Sequence, residues 1–375
     1  MIVSEKNIGT NMKIGDVIVQ SAKVCLLRIP LTHPFVISLG TQYSYEGVIL
    51  ELHAGDITGY GEGSTIAQIT GETPYAIFDA VCYIIESLKN RAYGGFEDLI
   101  SDIGRSIYAN STAKNAIDIA AHDLIAKSWN LHLTSMLGGT LKELPTSFTI
   151  SLGSVEESIS ALDSYKGMKA RIIKVKVGND PDLDIRRIKA ISERLGEIPF
   201  FADANQGYNL QNAIRVGKVL NDAGALFFEQ PMEKHSHDQL RFLRTQTGIP
   251  IMLDESISTP HDVVESIVRE SADLINVKLV KSGGIRNSMK ALAVAQAYGM
   301  DAMVGCMTES KLGIATSLAV SSSMSNVKYT DLDGFHSISV QPFEGGVDYE
   351  NGLNRPVAGT GLACISRLPE IKNVR

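Results

Sequence analysis

Eight short apolar runs, separated by intervals that helical stretches mostly fill, constrain this chain more than any other feature. They lie at 148–152, 172–177, 200–204, 225–230, 251–255, 274–279, 302–306 and 328–331. Strands covered by helices on the outside read as near-continuous apolar runs. Eight such units over roughly 190 residues point to a closed (β/α) barrel. An open doubly wound sheet is disfavoured, because the region has no Gly-x-Gly-x-x-Gly turn. A barrel of this kind gathers its active site at the carboxyl ends of its strands.

Those ends carry, in order, Thr149, Lys174 with Lys176, Asp203 with Asn205, Glu229, Asp254 with Glu255, Lys278, Cys306, and Asp331 with Asp333. A single charged residue there is an ordinary salt-bridged strand end. So many on successive strands converge on one mouth, where burying them to no purpose is costly. Lys174 and Lys176 share one face of their strand. Alone, the pair reads more simply as lysines guarding an edge strand. At a barrel mouth it is a like-charge pair, in which each lowers the pKa of the other and one becomes available as a base near neutral pH.

Asp203, Glu229 and Asp254 are hard oxygen ligands from adjacent strands, suited to an octahedral Mg²⁺ that keeps positions open for a substrate oxygen and water. Zinc would want histidine or cysteine. A metal on a substrate carboxylate stabilises the enediolate left when the neighbouring proton departs. With Lys176 and Lys278 on opposite edges of the mouth, one base takes the proton and the other returns it from the far side. That arrangement inverts a centre and favours an epimerase or racemase over a one-sided lyase.

Ahead of the barrel, residues 13–62 read as antiparallel strands, with a hairpin turn at Ala54-Gly55-Asp56 and a loop at 31–45 suited to a lid. The run Gly59-Tyr60-Gly61-Glu62-Gly63 follows a hairpin strand, so it is read as a bend and not as a phosphate loop. Helical periodicity over 74–88, 95–108 and 112–129 completes an α+β domain, and the Leu137-Gly138-Gly139 exit sets a boundary near residue 140. The 375 residues suffice for two domains. A formal charge of −7 without a basic tract argues against nucleic acid and acidic membrane as partners. No apolar run is long enough to span a bilayer and residues 1–13 have no secretory h-region, so a cytoplasmic location is expected. The four cysteines have no Cys-x-x-Cys spacing and predict neither a zinc knuckle nor a disulfide framework.

The motifs Lys174-Val175-Lys176, Asp203-Ala204-Asn205, Phe228-Glu229-Gln230-Pro231, Leu253-Asp254-Glu255-Ser256 and Asn276-Val277-Lys278-Leu279, followed by Gly283-Gly284, together resemble the enolase superfamily, muconate-lactonising subgroup. The likeness runs from His33-Pro34-Phe35 to Gly352. It implies a (β/α)7β barrel, a modified TIM barrel, over 140–334, with an α+β capping domain built from 1–139 and from a tail, 335–375, that returns to it. It also implies Asp203, Glu229 and Asp254 as Mg²⁺ ligands, Lys176 and Lys278 as the two bases, and Lys174 beside the substrate carboxylate, tuning Lys176. Asp331-Leu332-Asp333-Gly334 is similar to dipeptide epimerases, where such a pair holds the substrate α-ammonium group. An acidic pair suits a buried cation, although Asp-Gly alone is also a common exposed turn.

The activity implied is Mg²⁺-dependent epimerisation of the C-terminal residue of an L,L-dipeptide, by two-base 1,1-proton transfer through an enediolate. Family analogy adds a homo-oligomer. Thr149 and Cys306 are further candidate substrate contacts. Alanyl-glutamate epimerases use a basic residue of the first-domain loop for the glutamate side chain. Residues 36–41 contain none, and Gly40 stands where an arginine is expected, so hydrophobic or small second residues are predicted. His235 and His237 are read as solvated and Trp129 as core. Two rivals stay open: a muconate-type cycloisomerase or o-succinylbenzoate synthase-like lyase on the same scaffold, and an inactive barrel that only binds.

Overall fold

In a computed structural model, which describes residues 1–64 and 66–368, the chain opens with four antiparallel strands: β1 (Ile2–Ile14), β2 (Val17–Ile37), β3 (Gly40–Ala54) and β4 (Ile57–Ser64). Helices α1 (Pro74–Ser87), α2 (Phe96–Ser106) and α3 (Ser111–Ser128) follow. The three helices and the hairpin turn lie where the periodicity predicts them. Strand β1 is an addition: its first half is mixed, and from Ile8 to Ile14 buried Ile8, Thr10, Met12 and Ile14 alternate with exposed Gly9, Asn11 and Lys13.

Two readings of this region are corrected. The expected loop at 31–45 is mostly strand: Phe35, Val36 and Ile37 pair with Gln42, Thr41 and Gly40, so β2 and β3 form one long ribbon. The Gly59–Gly63 run does not bend. It lies within β4, and a Cβ at Gly61 would come 1.9 Å from the Ala116 carbonyl oxygen. Glycine lets α3 lie directly on the strand.

The barrel strands are β5 (Ser147–Ile150), β6 (Ile172–Lys176), β7 (Phe200–Asp203), β8 (Phe228–Glu229), β9 (Ile251–Leu253), β10 (Leu274–Lys278), β11 (Asp301–Gly305) and β12 (Val327–Asp331). They pair in parallel, each with the next. The barrel nearly closes where Leu332 N–H donates to Thr146 Oγ1 at 2.8 Å. Helices α4 (Val155–Gly167), α5 (Pro181–Leu195), α6 (Leu210–Asp222), α7 (His237–Thr247), α8 (Pro260–Val268), α9 (Ile285–Ala297) and α10 (Lys311–Ser323) follow the first seven strands. After the eighth the chain makes a 3-10 turn, Gly334–Ser337, so the fold is a (β/α)7β barrel beside a capping sheet domain. Short tail strands come next: Leu353–Pro356 pairs with Leu144–Pro145, and Gly361 bridges His132.

The alternation along each strand explains the architecture. Ile173, Val175, Ala202 and Phe228 point outward into the core beneath the helices. Ile172, Phe201, Phe227, Met252 and Met303 fill the barrel interior from below. With a period of two, the next inward positions toward the carboxyl ends are Lys174, Lys176, Asp203, Glu229, Asp254 and Lys278. The interior thus changes from apolar floor to charged mouth within one or two steps.

Candidate active site

The ribbon of β2 and β3 reaches over the barrel mouth, where Ser38 Oγ donates to the carbonyls of Ala204 and Asn205 at 3.1 and 3.0 Å. Beneath it lies a cavity of about 370 Å³, whose lining includes Lys174, Lys176, Lys278, Cys306, Asp331 and Asp333 on the barrel side and Phe35 and Ile37 on the ribbon. Thr149 also lines it.

Asp203, Glu229 and Asp254 are fully buried, and each offers an oxygen within 4.8 Å of the others'. Lys174 stands at 2.9 Å from Asp203, 3.0 Å from Glu229 and 2.7 Å from Asp331. Lys176 Nζ donates to Asp203 at 2.6 Å and to Asn205 Oδ1 at 2.7 Å. Lys278 lies 2.9 Å from Asp254 Oδ2. The two lysines therefore flank the carboxylates, one at Asp203 and the other at Asp254.

The electrostatics correct one expectation. Lys174 is not depressed by its neighbour: burial works against its charge, but Asp203, Asp331 and Glu229 outweigh burial and hold its pKa well above the usual value. Burial likewise opposes the charge on Lys278, and Asp254 outweighs it, so this lysine too is raised. Carboxylates set the lysine protonation here, an influence that a count of adjacent lysines misses. Burial pushes Asp203 and Asp254 upward, yet the lysines beside them hold both well below the carboxylate range. Glu229, at the centre, is raised to about 8 by burial and then by the charges of Asp203 and Asp254.

Asp331 accepts from Ser147 Oγ at 2.6 Å and from Lys174 at 2.7 Å. Asp333 accepts the backbone N–H of Thr149 at 3.0 Å and pairs with no lysine or arginine among the described residues. Burial and the charge of Asp331 raise it to about 6. Neither residue is the fully exposed turn that Asp-Gly alone would allow.

Several contributors escaped the sequence reading. Lys281, on the turn after Lys278, bonds the Asp254 carboxylate at 2.5 Å and also its carbonyl; Lys-x-x-Lys spacing on one helical turn is the signal that could have found it. Asn276 Nδ2 donates to Glu229 Oε1 at 2.7 Å, and Gln230 Oε1 accepts the Asp254 N–H at 2.9 Å. Asn205 and Gln230 adopt φ of 39° and 33°, strained values typical of functional sites. Of residues 36–41, Ile37 lines the cavity. Two other expectations fail. His237 is buried and bonds Ser271 at 2.9 Å, because it opens α7 against the next unit. Trp129, at 59% exposure, caps α3 outside the core.

Two family models match the chain: "Mandelate racemase / muconate lactonizing enzyme, N-terminal domain" over 21–138 and "Enolase C-terminal domain-like" over 157–364. An L-Ala-D/L-Glu epimerase of Bacillus subtilis is 34% identical over 345 residues, covering 90% of this chain and 94% of the relative. A chloromuconate cycloisomerase of Delftia acidovorans is 30% identical, over 83% of this chain and 86% of the relative. The structure of a dipeptide epimerase from Cytophaga hutchinsonii, complexed with Mg and D-Ala-L-Val, superposes with a TM-score of 0.87 at 29% identity, over 98% of this chain and 96% of the other.

Proposed function

The chain belongs to the enolase superfamily and is an isomerase of it, and from that premise we propose that it is a Mg²⁺-dependent dipeptide epimerase acting on the C-terminal residue of an L,L-dipeptide. The observation that carries this reading is one cavity together with the carboxylates its lysines hold. Lys176 and Lys278 line it and pair with Asp203 and Asp254 of the buried triad, and Asp333, an acid without a counter-cation among the described residues, lines it too.

The triad fits a divalent cation. Glu229 Oε2 and Asp254 Oδ2 are buried and accept no hydrogen bond, although each has a lysine near 3 Å. Burial first, and then the charges of Asp203 and Asp254, hold Glu229 up to about 8. All donors are hard oxygens, as Mg²⁺ prefers. Asp203, Glu229 and Asp254 would hold it, and when bound it supplies Lewis-acid stabilisation of charge on the substrate carboxylate and offsets the carboxylates that raise Lys174 and Lys278.

The protein's own groups do the rest. Lys176 and Lys278 exchange the α-proton at their Nζ atoms, one accepting it and the other donating from the opposite face. Asn205 and Asp203 hold Lys176 in place; Asp254 holds Lys278. Asp333, with Asp331 behind it, receives the α-ammonium group. This requirement favours a dipeptide over a muconate dianion, whose carboxylate would face Asp333 with like charge.

For the second residue, the argument rests on charge. Among the described residues, the only lysines lining the cavity are those already paired with carboxylates, and no arginine lines it. His336 is held near pKa 4 by burial and by Lys311, so it is neutral at pH 7. An acidic side chain would be buried without a partner, whereas Phe35, Ile37, Phe148 and Met307 suit an apolar one. A library of L,L-dipeptides incubated with Mg²⁺ in D₂O tests both levels. Deuterium at one α-carbon with inversion supports epimerisation, and an alkene or lactone product refutes it. Glutamate and aspartate members emerging as the best substrates by kcat/KM would overturn the specificity alone.

A further inference from the structure

One of the two lysines is held by a buried arginine that does not line the substrate cavity. Arg187, on α5, is fully buried. Its Nη1 donates to the Lys176 carbonyl at 2.6 Å and to Asp184 Oδ1 at 3.0 Å; Nη2 donates to the Ser151 carbonyl at 2.7 Å and Nε to Ser158 Oγ at 2.9 Å. Asp184 Oδ2 accepts the Tyr208 hydroxyl at 2.6 Å, and the Gly178 N–H is shared between that oxygen and the Tyr208 oxygen, both at 3.0 Å.

The network ties three consecutive barrel units together at the mouth. Ser151 follows β5, Lys176 ends β6, and Tyr208 belongs to the turn beyond β7 that also carries Asn205, the partner of Lys176 Nζ. Gly178 keeps the turn after Lys176 tight against β7: its φ is +111°, and a Cβ there would lie 2.4 Å from the Ala204 carbonyl oxygen.

Helix packing alone does not call for this arrangement. A buried charge pair is commonly no more stabilising than apolar residues of similar volume. What a guanidinium adds is direction: a rigid fork whose several donors fix carbonyls from different segments at once. Lys278 has no share in it. It pairs with Asp254, which Lys281 also holds, and Arg187 makes no hydrogen bond to β10 or to the turn after it among the described residues.

We propose that Arg187 is a positioning residue for Lys176 and not for Lys278, so that only one of the two proton transfers depends on it. This rests on the epimerase reading above. Because the lysines face opposite sides of the α-carbon, each diastereomer of the dipeptide surrenders its α-hydrogen to a different lysine, and washing that hydrogen out into D₂O reports on each lysine separately.

The test uses the full chain with Mg²⁺ and measures α-hydrogen exchange from the L,L and L,D forms of one accepted dipeptide. Arg187→Lys keeps the charge beside Asp184 but loses the fork. A displacement of about 1 Å at the base costs on the order of 100-fold, so exchange from the isomer facing Lys176 falls by about that factor. Exchange from the isomer facing Lys278 stays within a few-fold of wild type and proceeds without inversion, and KM is little changed. Tyr208→Phe removes one hydroxyl, leaves Arg187 in place, and shifts the two rates apart in the same direction by less; it carries the test if Arg187→Lys does not fold. Equal loss from both isomers, or loss from neither, overturns the assignment of Arg187. Wild-type enzyme that exchanges neither isomer overturns the epimerase reading instead.

Discussion

On the epimerase reading, Asp333 is expected to set the acid side of the activity. It is raised to about 6 by burial and by the charge of Asp331, while a dipeptide α-ammonium stays protonated to about pH 8. The oppositely charged pair therefore exists between roughly pH 6 and 8. Lowering the pH from 7 to 5 takes the ionised fraction of Asp333 from about nine-tenths to about one-tenth, so kcat/KM should fall about tenfold, chiefly through KM. Asp333→Asn removes the charge at every pH. A hydrogen bond to a charged group contributes about 1.5–3 kcal/mol, so the variant should lose about 10- to 100-fold in kcat/KM at pH 7.5 and show no acid limb near pH 6.

The same shift acts on stability with the opposite sign. A carboxyl whose folded pKa lies above its usual 3.8 binds its proton more tightly in the folded state. Its favourable contribution is complete below about pH 4 and is lost as the pH rises through about 6. About two pKa units correspond to about 3 kcal/mol for an enclosed group, and access of solvent from the mouth reduces this to about 1–2 kcal/mol. Asp333→Asn should thus be less active yet more stable than the parent at pH 7.5. Rates of deuterium incorporation from pH 5 to 8, paired with urea unfolding, measure both. Activity within twofold of the parent, or an acid limb that survives in the variant, would refute the assignment of the ammonium site to Asp333.

Lys176→Met and Lys278→Met should each abolish epimerisation, by about 10³-fold or more, while Mg²⁺ binding followed by calorimetry persists; inversion at full rate in either variant would sink the two-base scheme. Chelation with EDTA should stop turnover, with recovery on adding Mg²⁺, and saturating metal at about 100 Kd should stabilise the fold by about 2.7 kcal/mol, read as a rise in Tm. Gly61→Ala forces a Cβ to within 1.9 Å of the Ala116 carbonyl oxygen, so the cap must shift, and a loss of about 1–3 kcal/mol by urea unfolding is expected.

Much of the fold was legible because its signals are local. Each of the eight runs at 148–331 reappears as a parallel strand with shifted ends, some trimmed to lengths such as Phe228–Glu229 or Ile251–Leu253 and some beginning a residue earlier, as Val327–Asp331 does. Most of strand β1 was missed: Glu5, Lys6 and Asn7 leave its first half without a pattern, although Ile8, Thr10, Met12 and Ile14 alternate with exposed Gly9, Asn11 and Lys13 in its second. It is an inner strand, paired with β2 and with Ala92–Tyr93. The ribbon over 31–45 was likewise opaque. Pro34 argues for a loop, yet Pro34 falls in the register break between Pro30 and Phe35, where no ladder N–H is required.

The site divides along the same line. Period-two alternation places Lys174, Lys176, Asp203, Glu229, Asp254 and Lys278 inside, and no tertiary information is needed for that. The protonation of Lys174 and Lys278, by contrast, depends on partners distant in the chain, such as Asp331 for Lys174, 157 residues away, and Asp254 for Lys278. Arg187 shows why such partners leave no local trace. On α5 it reads as one more charge in Asp184-Ile185-Arg186-Arg187, and only closure of the barrel reveals that Arg187 points at the carbonyls of Ser151 and Lys176. A motif can name Lys176. The groups that bond its backbone are brought there by geometry between strands, and they are found only once the strands are assembled.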